Sequence, residues 1–174
     1  MDVVKVLQTQ FGMMHQTMMG TAEGLDAETA HFQPGGRAGS AASNLVHAVL
    51  IEDIFLNSFV TGGTPLAYGE WADRTGASEL PDMQGGDNTG WDQRVTLDLE
   101  QGQQYAEAVF NQSDAYLASI SAEDLDRTCD LSAFGMSDAE PVSTALSIIL
   151  ANSNWHTGEV STIKGIQGLQ GYPF

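Results

Sequence analysis

Cysteine occurs once in the chain, at Cys129. A single thiol excludes an internal disulfide and any C-x-x-C redox or zinc motif. Basic residues are also scarce: six Lys and Arg stand against 23 Asp and Glu, a formal charge of −17. Phosphate backbones and anionic lipid are bound by Lys and Arg that neutralise them, so the expectation is no nucleic-acid partner and no membrane. No stretch approaches the roughly 18 unbroken apolar residues of a membrane span. The opening Met-Asp-Val-Val-Lys lacks the basic-then-apolar layout of a secretion signal. A cytoplasmic location is expected. Strand signals are nearly missing, with Arg94-Val-Thr-Leu97 the nearest candidate, and there is no internal repeat.

What is present is helical. The 174 residues, 42% hydrophobic, suit a single domain over 1–174 whose core needs neither metal nor disulfide. Val4, Leu7, Phe11, Met14 and Met18 recur at 3-4-3-4 spacing and predict a first helix over about 2–25. His15 falls at the edge of that stripe, and the many methionines suit an irregular core. The Gln-Pro-Gly-Gly-Arg stretch reads as a connection, in which His31 is expected to be exposed. A second helix is predicted over about 40–60, capped by Ser40 or Ser43. On it His47 shares a face with Ser43, Leu50, Ile51 and Ile54, while Glu52 and Asp53 turn away.

The segment 61–94 is rich in Gly, Pro and Asp and holds Trp71 and Trp91. It is long enough to run back along a helix, which allows the second and third helices to be parallel neighbours joined by a crossover. A third helix is predicted over about 96–120, capped by Thr96 or Asp98, with the stripe Ala106, Val109, Ser113, Leu117 and Ile120. Ser121-Ala-Glu-Asp predicts a short capped turn. A fourth helix is predicted over about 141–166, with Pro141 in its first turn and Ser137 or Ser143 as cap. The fold class is therefore all-α: a four-helix bundle with a long crossover loop between helices two and three.

The fourth helix carries Asn152, His156 and Glu159 one turn apart, beside Ile149 and Ile163, so all three lie on one face. With His47 on another apolar helix, two imidazoles become candidates for one site. Leu45-Val-His47 with its following acidic pair, and His156-Thr-Gly-Glu159-Val before a glycine-rich tail, resemble the DinB-like superfamily of putative metalloenzymes. The resemblance spans most of the chain and implies a helical bundle. It also implies a divalent metal, often zinc or nickel, held by one His of helix two and a His-x-x-x-His pair of helix four.

Residue by residue, His47 and His156 match two of those ligands, and the third position is Asn152. An amide oxygen is a poor donor for zinc or nickel. Glu159 could compensate, with His15 a remoter candidate. Relatives imply a thiol-dependent transferase or hydrolase acting on a small-molecule substrate, with a low-molecular-weight thiol such as mycothiol or bacillithiol. In that scheme Glu159 is the catalytic base or orienting group, and Trp71, Trp91 and His15 line the substrate pocket. The alternative is a non-catalytic ligand-binding or stress-response bundle whose site is metal-free because of Asn152. A third reading is a dimeric structural protein. A homodimer is the expected assembly, with no surface stripe to mark its interface. Cys129 lies outside both motifs and is expected to be a small core residue.

Overall fold

In the computed structural model, which describes residues 2–82 and 86–174, four long helices carry the chain: α1 (Val3–Ala22), α2 (Ala41–Ile54), α3 (Leu99–Ser119) and α4 (Val142–Ile166). Each start has a local cause. Asp2 accepts the Val4 and Lys5 amides at the head of α1, Ser40 accepts the Ser43 amide at α2, and Asp98 accepts the Gln101 amide at α3. The caps are thus Ser40 rather than Ser43, and Asp98 rather than Thr96. Neither serine caps α4: Pro141 occupies its N-cap position, and its ring allows the chain to enter a helix without an amide to satisfy.

Residues in contact fix the helix directions. His15 of α1 meets Glu52 of α2, Gln8 of α1 reaches the carbonyl of Leu117, and Lys164 of α4 reaches that of Thr21. Along α2 and α3 the numbering rises together, from Asp53 with Tyr105 to Asn57 with Gln112. Hence α1 and α4 run one way and α2 and α3 the other. The crossover between α2 and α3 contains a six-residue π-helical continuation, Phe55–Val60, and two short turns, Leu66–Tyr68 and Trp91–Arg94. Residues 83–85 within it lie outside the described residues.

Two departures from the sequence reading concern strands. Arg94-Val-Thr-Leu97 forms only an isolated bridge, Leu97 against Ala77. Among the described residues one ladder forms, joining β1 (Thr128–Cys129) to β2 (Glu140–Pro141) and clipping the loop before α4. These two-residue strands are too short to leave a period-2 pattern. His31 also departs from the exposed placement. It is half-buried, with Nδ1–H donating to the Ala27 carbonyl at 2.7 Å and Nε2 accepting the Leu97 amide at 2.9 Å, which ties the first loop to the crossover.

α2 is apolar almost all round and buried. The stretch Ala41–Val60 has the length and hydropathy of a membrane span, yet most of it is buried inside the bundle, so it is the core helix. Its Asp53 is fully buried and accepts four hydrogen bonds: the Leu66 and Ala67 amides, each at 2.8 Å, the Tyr105 hydroxyl at 2.7 Å and Asn57 Nδ2 at 2.7 Å. This carboxylate fastens the start of the crossover to both α2 and α3. Burial and the adjacent carboxylate push the Tyr105 phenol far up, keeping it a donor. Asp53→Ala leaves two backbone amides and a phenol without their acceptor and is expected to cost about 4 kcal/mol. Tyr105→Phe, which removes one donor of four, is expected to cost about 1.5 kcal/mol. Urea unfolding of both variants checks the order.

Candidate functional site

Where α2 crosses α4, His47 and His156 stand edge to face with ring centroids 4.7 Å apart. The two helices pack antiparallel here, with Ala41 of α2 against Val160 and Ile163 of α4, so residue 47 arrives opposite residue 156. Ala41 is the small α2 side chain at this contact, whereas Ala42 packs with Trp91 and Val95 of the crossover.

His156 Nδ1 lies 2.7 Å from Asn44 Oδ1 and 2.6 Å from Glu159 Oε2. Asn44 Nδ2 donates to the Ser40 carbonyl at 2.8 Å, which leaves its Oδ1 as the atom facing the imidazole. Both neighbours of Nδ1 are therefore acceptors, and Nδ1 carries the proton. In the neutral ring the lone pair is on Nε2. Glu159 is largely exposed and is engaged on the far nitrogen of His156, so it orients that ring from behind.

His47 is half-buried, and no group among the described residues hydrogen-bonds to its ring. Burial first, and the His156 charge second, hold it below the ordinary imidazole value, at about 4. It is a neutral imidazole at pH 7. Asn152 is buried one turn before His156, and its Nδ2 has no hydrogen-bond partner.

The remaining candidates are divided. Trp91 is buried, donates its indole N–H to the Glu79 carbonyl at 3.2 Å and lies 6.5 Å from the His47 ring, so it borders the site. Trp71 packs on Tyr105 beneath the Arg74 guanidinium, among residues that pack on the opposite face of α2. His15 is also elsewhere. It is stacked on Phe110, and its Nε2–H donates to the fully buried Glu52 at 2.9 Å, an oxygen that Ser113 Oγ also reaches at 2.5 Å. His15 therefore pins α1 to α2. Cys129 is buried, and burial together with Glu140 and Asp130 raises its thiol pKa, which suits a core residue.

Asn44 is the site residue that sequence reasoning missed. Its signal was present, since it lies three residues before His47 on the same helix. Without a partner helix in view, nothing distinguished it from an N-terminal capping side chain.

The fold and the facing imidazoles define a class: a helical bundle in which the second and fourth long helices jointly present a polar site. A model of the DinB superfamily matches residues 10–160, most of the chain, and the chain belongs to that superfamily. Among solved structures, a conserved protein from Enterococcus faecalis is similar with a TM-score of 0.80 at 16% identity, covering 97% of this chain and 99% of that one. At that identity the likeness shows the fold alone. No curated protein matches the sequence.

The low basicity of His47 couples its protonation to folding. The unfolded ring takes up a proton near pH 6.5 and the folded ring only near 4. Stability is therefore fully present above 6.5 and is lost as pH falls toward 4. The loss is at most about 3 kcal/mol, and less because the ring keeps some contact with water. His47→Gln is expected to flatten this part of the stability profile, read as the wild-type minus variant difference in urea midpoint between pH 7 and pH 4.5.

Proposed function

We propose that this is a cytoplasmic, small-molecule-binding DinB-superfamily protein that uses two imidazoles and an amide as hydrogen-bonding groups, with no tightly held metal. The observation that carries the reading is Asn152. A buried amide N–H without a partner costs roughly 1–3 kcal/mol, and such groups call for an explanation. A ligand acceptor supplies one.

The residues present do not fit a tightly bound zinc or nickel ion. Two imidazoles meet, the third family position is an amide, and Glu159 is spent on His156 Nδ1. Among the described residues no group of three His, Cys, Asp or Glu side chains converges as a ligand set. Three polar features then remain for an organic ligand: the Asn152 N–H as donor, Nε2 of His156, and the neutral His47 ring. They suit a molecule that offers both an acceptor and a donor. With a net charge of −17 around it, a neutral carbonyl or amide compound is favoured over a free carboxylate.

One observation favours a second reading, a divalent-metal site serving a thiol-dependent transferase or hydrolase. The Nδ1–H of His156 points at a carboxylate, which is how metal-binding imidazoles are commonly oriented. That reading needs donors beyond the two rings. Zinc and nickel titrations of tag-free wild type and Asn152→His separate the two. The proposed function expects weak binding by wild type and affinity about 100-fold higher in the variant, where a third imidazole is restored. Equal, tight binding by both proteins would overturn it in favour of the second reading.

A further inference from the structure

Across α2 from His47 the bundle is not filled. A cavity of about 660 Å³ lies between the end of α1, the first half of α2 and the start of α3. Its apolar wall includes Met18, Met19, Leu45, Val49, Leu97 and Ala106. It opens to solvent beside the exposed Glu23, Glu100 and Gln103, and its volume is in the range of small-molecule pockets, about 300–1,000 Å³. None of Asn44, His47, Asn152, His156 or Glu159 lines it. It is a separate place from the imidazole pair, with α2 between them.

The polar groups of the cavity share one sign. Glu23, Glu100, Gln103 and the buried Thr75 are among its lining residues, and no Lys, Arg or His among the described residues lines it. The Tyr105 hydroxyl in the wall is already donated to Asp53. Nearby Lys164 is buried and donates to the carbonyls of Thr21 and Glu23, each at 2.7 Å, so its charge offsets Glu23 in part. Glu100 enters no ion pair among the described residues and is the stronger of the two anionic groups. Two carboxylates beside an apolar wall attract a positive head and an apolar body together, and the overall charge of −17 acts in the same direction. Methionine side chains at the wall adapt to varied shapes.

We propose that this cavity binds an amphipathic organic cation, its apolar body against Met18, Met19 and Leu45 and its ammonium head beside Glu100 and Glu23.

Three probes with one chain length and different heads test this on the full chain: octyltrimethylammonium, octanol and octanoate, followed by calorimetry and methionine-methyl NMR. The ammonium probe is expected to bind saturably at a single site and several-fold more tightly than octanol, with octanoate weakest. The largest shifts should fall on the Met18 and Met19 methyls. Glu100→Gln, an exposed substitution that leaves the core untouched, is expected to lower the ammonium-to-octanol affinity ratio about threefold, as for a partly screened charge pair, with octanol affinity unchanged. The proposal is overturned by octanoate binding as tightly as the ammonium, by the absence of saturable binding, by shifts spread over the acidic surface, or by an unchanged ratio in Glu100→Gln.

Discussion

The bundle depends on one constraint: α2 is the core helix and nevertheless carries Asn44, the half-buried His47, Glu52 and Asp53. Buried polar groups must be paired, and a helix interior supplies its own side chains with few partners. Three of these four residues therefore recruit another element. Asn44 takes His156 of α4, Glu52 takes His15 of α1 and Ser113 of α3, and Asp53 takes Tyr105 of α3 together with the first amides of the crossover. Apolar packing holds the helices together, but it is tolerant of sliding and rotation. Directional bonds from these three residues of one central helix fix which residue meets which. The placement of His47 opposite His156 follows from that register.

The same view explains why the helices were legible in the sequence and the partnerships were not. Val4, Leu7, Phe11, Met14 and Met18 state their helix through period alone, as do Ala106, Val109, Ser113 and Leu117 of α3. The face that groups His47 with Ile51 follows from angle arithmetic within one helix. What lies across from a face is a property of two helices, and no one-dimensional period encodes it. Thus His15 reads from the sequence as a neighbour of the imidazole pair but serves Glu52, and Trp71 reads together with Trp91, whereas among the described residues it is Trp91 that borders His47. His31 shows the same limit, since its second nitrogen is satisfied by the Leu97 amide, 66 residues away. Asn152 is legible in the sequence for a different reason: it departs from the ligand pattern of the family the chain resembles.

Electrostatics divide the molecule. Most of its acidic residues are exposed, where water and salt screen them, and two are fully buried. Of the buried pair, Asp53 has donors for both oxygens, whereas Glu52 has one oxygen shared by His15 and Ser113 and the other, Oε2, without a partner. A buried carboxyl group with one oxygen left unpaired is a poor source of stability, because desolvation offsets much of what its hydrogen bonds contribute. Its contribution is better counted as alignment. The His15 ring, stacked on Phe110 and bonded to Glu52, links α1, α2 and α3 at a single point.

This division bears on how the two sites can coexist. The imidazole pair and the apolar cavity occupy opposite faces of α2 near one end of the bundle. The cavity opens to solvent on the side of Glu23, Gly24, Glu100 and Gln103, which are exposed. Here Asn44 and Asp53 hold α2 from both ends of the region, one bonded toward α4 and the other toward α3. The helix cannot slide toward α3 without stretching the Asn44–His156 contact, nor rotate without withdrawing Asp53 from the amides it caps. The bonds that align the imidazoles thus also keep the cavity open, and the polar cost inside the core helix supports both.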